Sequence, residues 1–137
     1  MPITFITQHT GFKLKQGAKI KTWIKKIVEL EKRQQGQLNF VFTTDKDLLK
    51  INQQFLKHNT FTDIITFDYT EEKTLNADIM ISVDRVGENA KKLKLEFQEE
   101  LKRVMIHGVL HLCGYKDKTK PDSTLMRKKE DWALKKY

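Results

Sequence analysis

The order of hydrophobic periodicities along the chain constrains its fold more than any other feature. Alternating apolar residues predict four strands, at residues 3–7, at Leu38, Phe40 and Phe42, and at residues 61–69 and 75–83. Helical spacing predicts helices over residues 17–33, from Thr44 through Phe55, and over residues 85–93, 96–112 and 121–132. The opening strand–helix–strand suits a right-handed parallel crossover, and the later strand pair suits a hairpin. We therefore expect an α+β fold, one domain over residues 1–137 with helices packed against a small mixed sheet.

Residues with capping or helix-ending chemistry predict where the helices begin and end. Thr44 and Asp47 form a capping-box pattern at the start of the second helix. Asp84 is expected to cap the third helix, and Pro121 suits the first turn of the last one. Gly36 is expected to close the first helix.

Composition and cysteine usage favour a reduced intracellular protein. No apolar run approaches the length needed to span a membrane, and residues 1–10 do not resemble a secretory signal. The chain has a single cysteine, Cys113, so no internal disulfide can form. We expect a cytoplasmic protein without a membrane or disulfide-linked partner, in which Cys113 is a small buried hydrophobe and not a metal ligand.

The charge balance favours a polyanionic partner. The net charge is +8, and many lysines and arginines fall in the C-terminal half, around a histidine motif. A phosphate backbone passing that motif would meet this charge. The alternative is a well-solvated basic surface that binds nothing acidic.

Two histidines four residues apart give the chain its clearest chemical motif. His107 and His111 share one face of a predicted helix, so both imidazoles can reach one ion. Gly114 can end the helix and reverse the chain, which would return Asp117 as a third ligand. Three protein ligands with an open position are typical of catalytic zinc sites. The alternative is a pair of packed, hydrogen-bonded histidines beside a solvated aspartate.

Gly108 argues against the metallopeptidase that a zincin-like helix would otherwise suggest. That enzyme class has a glutamate general base directly after the first histidine, where this chain has Gly108. The missing base is worth about a hundredfold or more in rate. A glycine inside a helix also costs about 1 kcal/mol relative to alanine. We expect a close approach of the helix to a sheet or substrate as its compensation.

Three further polar residues are candidates for orienting the metal ligands or the substrate. Asp63 falls on the apolar face of the predicted strand 61–69 and needs a partner there. Asp78 and Ser82 share a face of the following strand and could point toward the site. The alternatives are a structural aspartate at a strand end and a solvated sheet face.

These residues carry a resemblance to the YbeY family of metal-dependent endoribonucleases. Residues 107–115 match the first nine positions of its histidine-glycine-x-leucine-histidine-leucine-x-glycine-tyrosine-aspartate-histidine signature, and residues 62–67 and 77–82 are similar to its two strand motifs. Asn52 and Phe55 match as well. The resemblance implies a four-stranded mixed sheet and one divalent ion, with zinc expected, at the three signature positions. It also implies cleavage of single-stranded RNA in ribosomal RNA maturation and ribosome quality control, near the small ribosomal subunit.

The chain departs from the family pattern at two places. The third signature histidine is Asp117 here, preceded by Lys116. A carboxylate is an accepted zinc ligand, but its harder oxygen also admits manganese or similar ions. An arginine that usually follows the aromatic residue is Leu56 here, and we expect the next residue, Lys57, to replace it partly as a phosphate contact.

The expected function is metal-assisted hydrolysis of RNA phosphodiester bonds, with His107, His111 and Asp117 as metal ligands and catalytic residues. One alternative is a basic ribosome-associated RNA-binding module whose metal site is structural or vestigial. Another is a metallohydrolase of a different class, such as a peptidase. Met126 and Glu130, on one face of the last helix, are expected to be packing and solvated residues outside the site.

Overall fold

In the computed structural model, which describes residues 2–56 and 62–137, strands and helices follow one another in the expected order. The strands are β1 (Ile3–Thr7), β2 (Gln34–Thr43), β3 (Ile64–Asp68) and β4 (Thr74–Ser82). The helices are α1 (Gly17–Leu30), α2 (Asp45–Phe55), α3 (Val83–Leu93), α4 (Phe97–Leu112) and α5 (Lys120–Lys135). The predicted α+β class is confirmed.

The four strands form one mixed sheet in the order β1-β2-β4-β3. β1 and β4 both pair with β2 in parallel, and β3 pairs with β4 antiparallel. The parallel opening and the hairpin are therefore confirmed. The hairpin makes β3 an edge strand, so the chain on either side of β3 can take part in a site at that edge.

The hydrophobic core lies between one face of the sheet and helices α1, α3, α4 and α5. Leu38 and Phe40 of β2 and Ile79 and Ile81 of β4 are fully buried there. Each such side chain stabilises the fold by about 1.5–3 kcal/mol through its transfer from water. Helix α4 contacts β3, β4, α1, α3 and α5, so it is the central helix of this layer. Within the described part of the chain, no helix is long and apolar enough to cross a membrane.

Gly108 allows α4 to approach the sheet closely, as its cost within a helix suggested. A Cβ atom at this position would lie 2.9 Å from Cδ1 of Ile64 and 3.3 Å from Cγ2 of Ile79. These separations are shorter than ordinary carbon contacts, so a larger residue would push the helix or its neighbours aside. The glycine thus places the histidine-bearing helix directly against β3 and β4.

The predicted end of the first helix was wrong. Helix α1 ends at Leu30, because the chain reverses at Lys32 in a left-handed conformation (φ 59°). The N–H of Arg33 closes this turn by donating to the carbonyl of Val28 at 3.1 Å. Gly36 lies within β2, at an irregularity in its pairing with β4. It is required there by close packing against β4 and not by the helix end.

Two other predicted boundaries also shift. Strand β3 begins at Ile64, because its partner β4 ends at Ser82 where α3 starts; Phe61 lies outside the described residues. Ser82, and not Asp84, caps α3: its Oγ accepts a hydrogen bond from the N–H of Arg85 at 3.1 Å. Asp84 lies in the first turn of α3 and accepts from the N–H of Asp45. The caps at Thr44 and the proline turn of α5 are as predicted.

Candidate metal centre

The two histidines lie one turn apart at the C-terminal end of α4. Their ring centroids are 4.7 Å apart and their planes cross at 81°. This edge-to-face arrangement follows from the spacing of four residues on one helix face. Both side chains are only partly exposed, so they reach solvent from the wall of a cleft.

Gly114 ends α4 and reverses the chain as the sequence predicts. Its φ of 103° lies in the region that side chains avoid, and the next N–H, that of Tyr115, donates to the carbonyl of Leu110 at 3.1 Å. This six-to-one bond is typical of a Schellman termination. The reversal directs the following residues back across the face that carries His107 and His111.

Asp117 returns to the histidines after this turn. Its Oδ2 lies 3.2 Å from Nε2 of His107 and 3.4 Å from Nε2 of His111. One ligand atom from each of the three residues falls within 4.8 Å of the others. Two imidazole nitrogens and one carboxylate oxygen form an accepted ligand set for zinc and similar divalent ions. The residues present therefore fit the single divalent metal that the sequence motif suggested.

Glu130 contacts the centre from α5, which corrects the expectation that it is a solvated residue. It is buried, and its Oε2 lies 2.7 Å from Nδ1 of His107. Met126 and Ala133 are buried on the same helix, and this packing carries the carboxylate inward. A signal was present in the sequence: an acidic residue on an apolar helix face needs a buried partner.

Arg103, one turn before His107 on α4, also bonds Glu130. Its Nη1 donates to Oε1 of Glu130 at 3.0 Å, and its Nη2 donates to Oδ1 of Asp131 at 2.9 Å. Burial alone would raise the pKa of Glu130, but the hydrogen bonds from His107 and Arg103 outweigh it and lower the pKa. Glu130 is therefore ionised and acts only as an acceptor, so Nδ1 of His107 carries the proton between them.

The environment of His107 favours its protonated form in the metal-free protein. Burial alone would lower the pKa of His107, but the hydrogen bond and the charge of Glu130, with the charges of Asp117 and Asp63, raise it. The same negative surroundings attract any cation that replaces the second ring proton. The site is thus electrostatically prepared for a divalent ion.

An open cleft of about 760 Å³ runs past the three donors. Its volume is within the range of about 300–1,000 Å³ that is usual for ligand sites. It lies between the end of α2, the edge strand β3 and the turn after α4, which contribute Asn52, Leu56, residues 62–66, Asp68, Leu112 and Lys118 beside the donors. The three donors therefore lie at the wall of a cleft that is open to solvent and large enough to hold a ligand.

Asp63 lies in this cleft beside the histidines, just before β3. Its main-chain carbonyl accepts from the N–H of Ser82 at 2.9 Å, and its Oδ2 is 3.4 Å from Nδ2 of Asn89. Burial raises the pKa of the Asp63 carboxyl, while the charge of His107 opposes that shift. Asp63 is thus both a strand-end residue and a titratable group facing the site.

Asp78 and Ser82 are not brought to the histidines. Asp78 pairs with Phe67 across β3 and β4 and accepts from Nδ2 of Asn39 at 2.9 Å. Its side chain lines a separate groove on the sheet face covered by α2. Ser82 is buried, and its Oγ donates to Oδ1 of Asp45 at 2.7 Å. Neither side chain lines the cleft, since Asp78 bonds to β2 and Ser82 bonds to α2.

The sequence also makes predictions for Cys113 and Lys57. Cys113 is buried at the C-cap of α4, as predicted, and burial raises the pKa of its thiol to about 11. Its carbonyl accepts from Nη2 of Arg33. Lys57, expected to contact phosphate, lies outside the described residues.

Comparisons with known proteins agree on one family. The family model described as Endoribonuclease YbeY matches residues 5–137. A relative named endoribonuclease YbeY, from Flavobacterium psychrophilum, is 49% identical over 124 residues, which cover 90% of this chain and 89% of that protein. Another of the same name, from Christiangramia forsetii, is 48% identical over 129 residues, covering 94% and 90%. A solution structure of a Thermotoga maritima protein matches with a TM-score of 0.69 and 27% identity, covering 98% of this chain and 88% of that one.

Proposed function

The chain belongs to the YbeY endoribonuclease family, and from this membership we propose that it is a metal-dependent endoribonuclease acting on single-stranded RNA. Its role would be the maturation of ribosomal RNA and ribosome quality control, carried out in the cytoplasm near the small ribosomal subunit. One domain over residues 1–137 would carry this activity. The basic net charge of +8 supports an RNA partner, because phosphate groups supply most of the affinity in such complexes.

The observation that carries the proposal is the convergence of three donors at the wall of a large open cleft. His107 and His111 would each bind the ion through Nε2, and Asp117 through Oδ2. Zinc is the expected ion, and the carboxylate widens the choice toward manganese, since oxygen donors suit harder cations. When bound, the ion would acidify a water molecule or neutralise charge on a phosphoryl oxygen.

The chain's own residues would bind the RNA and move its protons. Lys118 lines the cleft next to Asp117 and would attract a backbone phosphate as a point charge. Asp63 is a partly buried carboxyl of raised pKa in the same cleft. We assign it the acceptance of a proton from the attacking water or hydroxyl group, or the donation of one to the leaving oxygen, since a carboxyl of raised pKa is suited to either task.

Apolar side chains in the cleft support a single-stranded substrate. Leu56, Ile64 and Leu112 line it together with the polar donors. Unpaired bases can turn their faces toward apolar side chains, whereas a duplex offers mainly its backbone and grooves. Lys57 would add a phosphate contact near the end of α2, and Lys57→Ala with unchanged RNA binding and cleavage would remove that assignment.

Metal analysis combined with cleavage of single-stranded RNA tests the proposal. Wild type, His111→Ala and Asp117→Ala are compared, with His9→Ala as the control because this exposed histidine pairs with Asp47 outside the cleft. We expect His111→Ala to lose both metal and cleavage, and His9→Ala to keep both. Double-stranded RNA and a protein substrate serve as further controls.

The outcomes separate the candidate functions. Full cleavage in the presence of a chelator, or by His111→Ala, would contradict a metalloenzyme. RNA binding without cleavage by the metal-loaded wild type would indicate the binding module, and cleavage of the protein substrate alone would indicate a peptidase. Metal and activity retained in Asp117→Ala would remove only the third-ligand assignment.

A further inference from the structure

Helix α4 presents three polar side chains at intervals of four residues along one face: Arg103, His107 and His111. Glu130 of α5 contacts the first two of them. Its two oxygens are divided between these partners, Oε1 toward Arg103 at 3.0 Å and Oε2 toward His107 at 2.7 Å. The carboxylate therefore connects a fixed cation to a metal ligand through two directed hydrogen bonds.

We propose that Glu130, held by Arg103, is a positioning residue that fixes the ring orientation of His107 and raises the metal affinity of the centre. The inference rests on the proposed function and goes beyond it, because it assigns part of the metal affinity to a residue that contacts no ion. Glu130 acts on the metal only through His107.

The direction of the hydrogen bond determines which nitrogen of His107 faces the ion. A carboxylate paired with a guanidinium has no proton to donate, so Nδ1–H of His107 is the donor to Oε2. Nε2 is then the nitrogen whose proton a binding ion would replace, and it is the atom that lies 3.2 Å from Oδ2 of Asp117. A carboxylate partner also makes the imidazole a stronger donor to a metal.

Arg103 fixes the carboxylate because its guanidinium is itself held at two points. Nη1 bonds Glu130, and Nη2 bonds Asp131, the next residue of α5. The planar fork allows little rotation once both bonds have formed. Glu130 is buried, whereas Asp131 is largely exposed, so only Glu130 can transmit this constraint to the centre.

The expected effect is a loss of metal affinity with the three ligands intact. Removing a hydrogen-bond partner of a ligating histidine weakens metal binding by about 10–100-fold, which is the loss we expect for Glu130→Ala. Glu130→Gln can keep one acceptor oxygen for His107, with its NH2 group facing Arg103, so its affinity should stay within about tenfold of wild type. Asp131→Asn is the control, since it changes the other bond of Arg103 and leaves the bond to His107.

Zinc affinity is measured by competition with a chromophoric chelator, and coordination by the absorption bands of the cobalt-substituted protein. We expect Glu130→Ala to weaken zinc binding and alter the cobalt bands, while Glu130→Gln largely restores both and Asp131→Asn changes neither. The Arg103→Met/Glu130→Met double variant avoids an unpaired buried charge, and it should show the same loss if Glu130→Ala does not fold.

A purely structural role would lower the stability of the metal-free protein and leave the cobalt bands of the folded fraction unchanged. Zinc bound by folded Glu130→Ala or by the double variant as tightly as by wild type would overturn the inference. That failure is distinct from failure of the proposed function, in which wild type itself would lack metal-dependent cleavage or His111→Ala would retain it.

Discussion

The two ion pairs of Arg103 allow the effect of burial on stability to be separated from the effect of distance. Its nitrogens lie 3.0 Å from Glu130 and 2.9 Å from Asp131, so the direct Coulomb attraction would be nearly the same, about 6 kcal/mol, if both pairs had an effective dielectric of about 20. The Glu130 side chain is 8% exposed, and that of Asp131 is 52% exposed. The two pairs should therefore differ in stability mainly because water reaches one of them.

Replacing Arg103 by methionine should destabilise the metal-free protein by about 2–3 kcal/mol. Breaking a buried ion pair typically costs about 3–5 kcal/mol, because one charge is left buried without its partner. The loss is smaller here, since His107 still donates to Glu130 and Arg127 lies 3.8 Å from its Oε1. Asp131→Asn removes the exposed pair and should cost less than about 1 kcal/mol.

Urea unfolding of the metal-free variants at neutral pH measures both free energies. A double-mutant cycle of Arg103→Met with Glu130→Gln isolates the coupling between the buried partners. Equal losses in Arg103→Met and Asp131→Asn would refute the reasoning, and so would a loss in Arg103→Met too small to measure. Either result would mean that solvent screens both pairs alike.

The stability difference should also depend on pH. The pKa of Glu130 is lowered in the fold from its ordinary value of 4.5, despite the burial that would raise it, since His107 and Arg103 donate to it. A group of lowered pKa contributes stability that is present above its unfolded pKa and is lost as pH falls through its folded pKa. The deficit of Arg103→Met should thus be largest near neutral pH and shrink below pH 4.5.

Three further substitutions test other features of the structure. Gly36→Ala should lower the free energy of unfolding in urea by about 3 kcal/mol, because its Cβ would lie 2.6 Å from the carbonyl oxygen of Leu75. Gly11→Ala is the control, since a Cβ there would meet open space, and equal losses in the two variants would contradict the close packing at Gly36. Gly114→Ala should lower the free energy of unfolding by about 1–2 kcal/mol, because alanine is strained at a φ of 103°. The variant should also bind zinc more weakly in calorimetry, and an unchanged zinc affinity would show that the position of Asp117 does not depend on this turn. Asp117→His, which restores the family signature, should increase the preference for zinc over manganese in competition assays, and a ratio equal to that of wild type would exclude Asp117 as a ligand.

Much of the fold and the centre of the site could be predicted from local patterns. The spacing of His107 and His111 places both rings on one helix face, and the turn at Gly114 returns the chain toward them whatever the rest of the fold does. The gathering of Asp117 with them follows from this short connection. Its role as a ligand stays a prediction until metal is measured.

Other features depend on contacts between distant segments. Helix α1 ends at Leu30 because the chain must reverse there to pair β2 with β1 and β4, although residues that favour helix continue to Arg33. Asp78 alternates with the buried Ile79 and Ile81, so it points into the groove on the opposite face of the sheet and not toward the histidines. The end of α1 is thus decided by strand pairing, whereas the direction of Asp78 follows from the alternation of its neighbours, and only the tertiary structure shows that α4 covers the other face.

The sequence by itself thus determined the order of elements and the histidine motif, because helical and strand periods and a glycine turn act over a few residues. Only the tertiary structure brought Glu130, 23 positions after His107, into contact with it. The packing of α5 against α4 buries the Glu130 carboxylate, and a buried carboxylate must find donors. Arg103 and His107 are the donors that α4 presents there, and that geometry arises only when the two helices meet.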